Sequence, residues 1–225
     1  MKYFQFKISN HAWIYLITLF LLMIVFYSFF PLVGTFLLII LVFTAYFFRD
    51  PDKIIPTNEN LILSPADGIV TFIGPSDPPT EIEYTNFTKI SIFLSIFDIH
   101  INRIPASGKI LSCIYIPGKF LNATLDKSSN YNERNIVIME TKNNYKIIFV
   151  QIAGLIARRI VSDLKENQDV KLGDRFGIIK FGSRIDIYIP ENLNLHILEG
   201  QKVIGGQSIL ADFNNNLDIG KGIKK

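Results

Sequence analysis

Cysteine and histidine are both scarce in this chain of 225 residues. Cys113 is the only cysteine, so disulfides within the chain and thiolate metal clusters are excluded. Its neighbours are apolar, which predicts a buried and inert thiol. The three histidines are His11, His100 and His196, and no metal site is predicted.

Charge is absent from a long N-terminal stretch. From Ile8 to Phe48 there is no Asp, Glu, Lys or Arg. A proline and a glycine divide this stretch into two apolar segments, Trp13–Phe30 and Leu32–Phe48. As helices, each would be about 26 Å long, slightly less than the roughly 30 Å hydrocarbon core of a bilayer. A transmembrane helical hairpin within residues 1–48 is predicted, with one long tilted span or a buried apolar hairpin as alternatives.

Basic residues flank the apolar pair on both sides. Lys2 and Lys7 precede it, and Arg49 and Lys53 follow it. The positive-inside tendency therefore places both flanks on the cytoplasmic side of the membrane. A cleaved signal peptide is disfavoured because a second apolar stretch, rather than a polar mature sequence, follows the first.

The rest of the chain has no excess of positive charge. All 20 acidic residues lie after residue 48, together with 21 of the 23 basic residues, which leaves a net charge of +1. A nucleic acid partner is excluded because such proteins carry a concentrated basic surface.

Residues 61–225 read mainly as strands. Residues 49–60 are polar and contain two prolines, which predicts a linker ahead of this domain. Within this domain, Asp98–Asn102 and Leu155–Lys165 are the segments that most favour helix. The predicted fold is mainly β (α+β), a compact β-rich barrel-sandwich-like domain that follows the membrane hairpin. Seven segments are rich in Ile, Val, Phe or Tyr and bounded by turn residues: Gly68–Ile73, Lys89–Leu94, Lys109–Ile116, Asn135–Glu140, Lys146–Ile152, Gly177–Phe181 and Arg184–Ile189.

A Gly182-Ser183 pair stands between the last two predicted strands. Such a pair is ordinarily a turn. However, glycine leaves its carbonyl open to attack and permits a strained backbone, and the adjacent hydroxyl is the nearest nucleophile. These are the requirements of an N-to-O acyl shift.

His100 is the best general base that the chain offers. It directly follows a predicted strand, where functional side chains often lie, and precedes a Pro-Ala-Ser-Gly turn. The alternative is a hydrogen-bonded structural histidine. Asp67, in the segment Ser-Pro-Ala-Asp-Gly, could orient the His100 imidazole or serve only its own turn.

Six segments of the domain carry its most specific sequence patterns. They are SPADGIV (64–70), FLSIFDIHINRIPASG (93–108), NERN (132–135), QIAGLIARRIV (151–161), GDRFGIIKFGSRIDIYIP (173–190) and GQKVIGGQSILA (200–211). Together they resemble the phosphatidylserine decarboxylase family in its short bacterial proenzyme form. They cover nearly all of the domain in the family's order, and the two apolar segments ahead of it also match the short form.

The resemblance implies self-processing at the Gly182-Ser183 bond. Cleavage would give a β chain of residues 1–182 and an α chain of residues 183–225, which stay together as a heterodimer or a higher oligomer. Ser183 would become a pyruvoyl group, the only cofactor implied, with neither metal nor PLP. By the same resemblance His100 is the base and Asp67 its orienting carboxylate.

The implied reaction is the decarboxylation of phosphatidylserine to phosphatidylethanolamine. The pyruvoyl carbonyl would form a Schiff base with the serine amine of the lipid and take up the electrons left as CO₂ departs. The implied location is the bacterial inner membrane, with the catalytic domain on the cytoplasmic side.

Two departures separate this chain from the longer family members. Those carry Leu-Gly-Ser-Thr at the cut, where this chain has Phe-Gly-Ser-Arg at 181–184. They also carry a second histidine three residues after the first, where this chain has Arg103. Arg103, Arg158 and Arg159 are candidates for contact with the lipid headgroup. For the last two, a solvated basic pair is the alternative.

Three other interpretations stay open from the sequence. A noncatalytic, membrane-tethered barrel-sandwich adaptor would keep Gly182-Ser183 as an uncut turn. A membrane serine hydrolase would use Ser183, His100 and Asp67 without cleavage, although the chain lacks the usual Gly-x-Ser-x-Gly elbow. The same pyruvoyl chemistry could also act on another phosphatidyl amino acid.

Overall fold

The computed structural model describes residues 7–79, 86–118, 131–154, 159–180, 183–214 and 222–224. The chain divides into two compact units, Met1–Asp52 and Lys53–Lys225. The division falls inside the segment predicted as a linker, residues 49–60. Part of that segment is a strand, Ile54–Pro56, which belongs to the second unit.

The first unit consists of two apolar helices. A 3-10 turn at Asn10–Ala12 leads into α1, Trp13–Phe29, and α2 follows at Pro31–Phe47. Taken with its leading turn, α1 is long and apolar enough to cross a membrane, judged by length and composition, whereas α2 is shorter.

The break between the helices follows from local chemistry. Pro31 is the first residue of α2, where its missing N–H is not needed and its fixed φ suits the helix. At Gly34 an added Cβ would lie 2.6 Å from the Tyr27 backbone. Glycine therefore permits the two helices to approach closely where they diverge from the turn.

The second unit is built from antiparallel strands, and the mainly-β prediction is confirmed. The strands that the structure describes are β1 Ile54–Pro56, β2 Leu61–Leu63, β3 Gly68–Pro75, β4 Phe87–Leu94, β5 Ile101–Arg103, β6 Gly108–Ile116, β7 Arg134–Thr141, β8 Lys146–Ala153, β9 Arg159–Ser162, β10 Asp169–Val170, β11 Arg175–Lys180, β12 Ser183–Pro190, β13 Asn194–Leu195, β14 Lys202–Val203, β15 Ile209–Asp212 and β16 Gly222–Lys224.

The main sheet has the strand order β10-β6-β7-β8-β12-β4-β3-β14. Two three-stranded sheets, β5-β11-β9 and β13-β15-β2, accompany it, and β1 pairs with β16. Strand β12 lies between β8 and β4. It follows β11 directly in the sequence, separated from it by residues 181–182. This order brings the end of the small β5-β11-β9 sheet to the start of β12.

The central strands of the main sheet are buried on both faces. On one face Ile185 and Ile187 of β12 join the main core cluster with Phe149 of β8. On the other face Tyr188 packs in a second apolar cluster with Val150. Burial of both faces explains why β7 and β8 contain nearly continuous apolar runs. Strand β12 alternates instead, because its second face carries the buried Arg184 and Asp186.

The helix prediction is wrong where the structure describes those residues. Asp98 closes a turn through its N–H, which donates to the Ser95 carbonyl at 2.9 Å, and β5 begins at Ile101. Residues 155–158 lie outside the described part of the chain, and Arg159–Ser162 is strand β9. Both β5 and β9 are short strands that pair with β11, so tertiary pairing overrides the local preference.

Candidate active site

Ser183 is the first residue of β12 and lies between two neighbouring strands. Its register partners are Leu94 at the end of β4 and Ala153 at the end of β8. The side chain is fully buried, and Oγ has no hydrogen-bond partner among the residues that the structure describes. Leaving a buried hydroxyl unpaired costs about 1–3 kcal/mol, so this side chain calls for a functional explanation. The residue before it, Gly182, lies outside the described residues.

His100 lies at the same end of the second unit as Ser183. The backbone carbonyl of His100 accepts a hydrogen bond from the Ile179 N–H at 3.4 Å. Ile179 packs against Ala153, which is the register partner of Ser183. The structure thus brings the predicted base and the predicted nucleophile to the same strand ends.

The imidazole of His100 is buried and oriented by a backbone group. Its Nδ1 lies 3.0 Å from the carbonyl oxygen of Asp98. Because a carbonyl only accepts, Nδ1 carries the hydrogen, which leaves Nε2 as the basic nitrogen of the neutral ring. This tautomer is the one that a general base needs.

Asp67 immediately precedes β3, at the same end of the main sheet. Ile69 pairs with Phe93 and Ser183 pairs with Leu94, so Asp67 lies about two strand spacings, roughly 10 Å, from Ser183.

The carboxylate of Asp67 is bound by groups that the sequence did not reveal. Its Oδ1 accepts a hydrogen bond from the Gly205 N–H at 2.8 Å and forms a buried ion pair with Lys53. Lys53 Nζ also donates to the Gly205 carbonyl at 3.0 Å. These contacts are with a lysine and a backbone amide, so the orientation of His100 by Asp67 stays a prediction.

The two predicted headgroup arginines that the structure describes differ in their surroundings. Arg103 is buried, and its guanidinium donates to the Gly173 carbonyl at 2.9 Å. It lies three residues beyond His100, about 10 Å along β5. Arg159 is exposed. In the strand register it lies opposite Lys180, the last residue of β11, close to the start of β12. Arg158 lies outside the described residues.

Arg103 also lines a cleft of about 480 Å³. The other lining residues are Ile104, Leu164, Gln168, Asp169, Val170, Asp174 and Arg175. Because Arg103 pairs with Arg175 at the start of β11, this cleft lies at the end of that strand opposite to the Ser183 junction.

A second buried ion pair lies beside Ser183 on the opposite face of β12. Arg184 donates to Asp186 at 3.0 Å, and both side chains are buried. Burial, together with the negative charge of Asp186, raises the pKa of Tyr188 above its usual range. The Arg-x-Asp spacing in a predicted strand is the signal that could have found this pair, because alternate residues share a face.

The remaining histidine of the domain has a structural partner. His196 Nε2 lies 2.6 Å from Asp212 Oδ2. In the part of the chain that the structure describes, no group of three or more His, Cys, Asp or Glu side chains could hold a metal ion.

The fold and the site together define an antiparallel β domain behind an apolar helical hairpin, with a buried serine at a strand junction. A family model described as phosphatidylserine decarboxylase matches residues 40–211. The chain is 55% identical over 174 residues to the phosphatidylserine decarboxylase proenzyme of Rickettsia typhi, covering 76% of this chain and 75% of the relative. It is 56% identical over 170 residues to the proenzymes of Rickettsia akari and Rickettsia felis, covering 75% of this chain and 74% of each relative.

The chain belongs to the phosphatidylserine decarboxylase family and is an enzyme of the carboxy-lyase class. The resemblance that was based on the six sequence segments is confirmed. The matched residues include Asp67, His100 and Ser183.

Proposed function

We propose that this chain cuts itself between Gly182 and Ser183 and then decarboxylates phosphatidylserine to phosphatidylethanolamine. Membership of the family and the proenzyme names of its relatives support this function. The observation that carries the site assignment is the position of Ser183: its hydroxyl is buried without a described partner at a strand junction, beside the segment that holds His100.

The cleavage begins with the Ser183 hydroxyl. Oγ gives its proton to His100 Nε2 and attacks the Gly182 carbonyl carbon. The carbon–nitrogen bond of the peptide breaks, the Ser183 nitrogen takes up the proton, and an ester joins Gly182 to Oγ.

The ester is then eliminated. Loss of the Cα proton of residue 183 breaks the Cβ–oxygen bond, so Gly182 leaves as a free carboxylate and residue 183 becomes dehydroalanine. Hydrolysis with one water releases ammonia and leaves a pyruvoyl group at the start of the new chain, residues 183–225.

The surroundings of Ser183 fit this group. Pyruvoyl is formed from the atoms of Ser183, so it takes the place that the side chain already has between Leu94 and Ala153. When present, the group supplies an electron sink for the carbanion left by CO₂. The buried position of His100 and Ser183 keeps bulk water away from this carbanion.

Of the two predicted headgroup arginines that the structure describes, the exposed Arg159 is the better candidate for binding the lipid headgroup. It lies opposite Lys180, close to the junction, whereas Arg103 is buried against Gly173. We include Arg158 as its sequence neighbour and Arg103 as the arginine that takes the place of the second histidine in the longer members.

The apolar hairpin anchors the enzyme where its substrate lies. A phospholipid with two acyl chains stays in the bilayer, so an anchor raises the local concentration of the active site without adding contacts. The basic flanks, Lys7 and Arg49 among them, favour the cytoplasmic side of the bacterial inner membrane. The two processed chains would remain associated because β12, in the new chain, pairs with β4 and β8 of the other chain.

The mass of the denatured protein tests the proposal. We expect two fragments divided after Gly182, the smaller with a blocked pyruvoyl terminus. Ser183→Ala should stay whole and inactive, whereas Ser91→Ala, which removes another buried serine of the main sheet, should be cut as usual. A whole Ser183→Ala chain with full activity would overturn the proposal. Labelling of an uncut native chain by an acyl-directed serine probe would favour the hydrolase interpretation instead.

Release of CO₂ from lipid vesicles tests the substrate. Vesicles that contain phosphatidylserine should support release, and vesicles with another phosphatidyl amino acid should support much less. Equal rates would show that the headgroup specificity is broader than proposed.

A further inference from the structure

Three amide side chains form a buried hydrogen-bonded chain inside the second unit. Asn135 Nδ2 of β7 donates to Gln151 Oε1 of β8 at 2.9 Å, and Gln151 Nε2 donates to Asn102 Oδ1 of β5 at 2.8 Å. All three side chains are buried. The chain of amides links the main sheet to the small β5-β11-β9 sheet.

The last amide of this chain ends in an unused donor. Asn102 is fully buried, and its Nδ2 has no hydrogen-bond partner among the residues that the structure describes. Because Gln151 donates to Oδ1, the NH₂ group of Asn102 is turned away from Gln151. An unpaired buried donor destabilises a fold, so packing does not explain an asparagine at this position.

The hydrogen-bond partner of Asn102 is a neighbour of Ser183 in the main sheet. Gln151 is two residues before Ala153 on β8, so both side chains are on the same face, and Ala153 is the register partner of Ser183. Gln151 and Ser183 are therefore diagonal neighbours, about 7–8 Å apart, with their Cβ atoms slightly closer. Asn102 is hydrogen-bonded to Gln151, whose side chain is on the same face of the main sheet as Ser183.

Asn102 is also placed beside the proposed base. It is two residues after His100. Strand β11 runs along both residues, because Ile178 pairs with Ile101 and the Ile179 N–H donates to the His100 carbonyl. The nucleophile, the base and an unpaired N–H donor therefore lie on neighbouring segments at the same end of the second unit.

We propose that Asn102 Nδ2 stabilises the oxyanion that forms on the carbonyl attacked by Ser183. This inference rests on the proposed self-cleavage. When Oγ adds to the carbonyl carbon, the electron pair of the C=O bond moves to its oxygen, and that negative charge persists until the carbon–nitrogen bond breaks. A preorganised amide donor in a buried site stabilises such a charge strongly. Gln151 acts as a positioning residue that sets the orientation of the Asn102 amide.

Two variants of unchanged size test the role of the donor. The chain is made by cell-free synthesis with phospholipid vesicles, and the appearance of the two fragments is followed over time. Asn102→Asp replaces the N–H donor with an oxygen, and cleavage should slow about 10²–10³-fold. Gln151→Glu places an acceptor beside Asn102, which turns the Asn102 NH₂ toward it and away from Ser183, so cleavage should slow as well.

The pH profile separates chemistry from packing. A protonated carboxyl at position 102 is again a donor, so the ratio of the Asn102→Asp rate to the wild-type rate should rise as the pH falls from about 8 to about 5. Taking the ratio removes only those effects of pH that are the same in both proteins. Ile90→Val, a core change on β4, should cleave at the wild-type rate.

Each outcome decides the inference. A wild-type chain that cleaves, together with wild-type rates for both variants, would overturn the role of Asn102 and leave the proposed function intact. A wild-type chain that never cleaves would overturn the proposed function itself. If Asn102→Asp does not fold, Gln151→Glu decides: slow cleavage with an unfolding temperature like that of Ile90→Val supports the inference, and a wild-type rate overturns it.

Discussion

Lys53 and Asp67 form a buried ion pair that joins the start of the second unit to the turn before β3. Only 5% of the Lys53 side chain and 12% of the Asp67 side chain are exposed. Both groups also bond the backbone of Gly205, which is far away in sequence. The pair thus holds three separate segments together at the end of the sheet where Ser183 lies.

Replacing Lys53 should destabilise the fold. Lys53→Met leaves a buried carboxylate without its cation, so we expect the free energy of unfolding to fall by about 3–5 kcal/mol. The measurement is denaturant unfolding of the detergent-solubilised chain. Lys142→Met is the matched control, because its ion pair with Glu59 is 58% and 50% exposed and should contribute less than about 1 kcal/mol. Equal losses in both variants would contradict the assignment.

Gly68 should not tolerate even a methyl group. An added Cβ would lie 2.2 Å from the Phe93 carbonyl oxygen, so Gly68→Ala must push β3 away from β4 beside Asp67. We expect a loss of about 1–3 kcal/mol or more in unfolding free energy and slower self-cleavage. Gly74→Ala, on the same strand, meets only the tip of the Phe72 ring at 3.0 Å and should be much milder. A ranking in the reverse order would show that the close approach is not what requires glycine.

The two histidines of the domain should differ in their effect on cleavage. His100→Ala removes the proposed base, and we expect cutting to slow by about 10²–10⁴-fold. His196→Ala breaks only the contact with Asp212 and should leave the rate of cutting unchanged at a temperature where the variant is folded. Gel analysis of freshly made chain distinguishes them. Normal maturation of His100→Ala would reassign the base.

Substitutions of Arg103 and Arg159 should have different effects, the first on stability and the second on substrate binding. Arg103→Met removes a buried donor to Gly173, so we expect a lower unfolding temperature. Arg159→Gln changes an exposed residue, so we expect unchanged stability but a higher KM for phosphatidylserine in vesicles with little change in kcat. An unchanged KM in the Arg159 variant would remove it from the proposed headgroup site.

Cys113 should react slowly with alkylating reagents in the folded chain. The thiol is half-buried rather than fully buried, and its burial, aided by the negative charge of Glu166, raises its pKa. At a given pH the reactive thiolate fraction is therefore smaller than for a free cysteine. N-ethylmaleimide labelling should be slow near neutral pH and accelerate as the pH rises, and Glu166→Gln should speed it modestly. Labelling as fast as in the denatured chain would contradict this prediction.

Much of the architecture was predictable because it depends on local composition. All seven predicted strand segments overlap strands of the structure, since β-branched and aromatic runs bounded by turn residues keep their preference in most contexts. The short strands were missed or misread. Strands β5 and β9 have only three and four residues, and their extended form is set by pairing with β11 rather than by their own sequence.

The polar contacts of the site were beyond prediction for a different reason. Lys53 stands in a proline-containing segment that reads as a solvated linker, and Asn102 and Gln151 read as ordinary strand residues. Which buried polar group meets which partner depends on the register and packing of strands that are far apart in sequence.

The sequence by itself determined the two apolar segments and the β-rich second unit, and it singled out the Gly182-Ser183 pair as a candidate, because hydrophobicity and backbone freedom are properties of neighbouring residues. Only the tertiary structure decided that Asp67 meets Lys53 and Gly205, that His100 approaches the start of β12, and that Asn102 ends a buried chain of amides. These relationships depend on long-range strand pairing, in which a shift of one residue would turn each side chain to the other face.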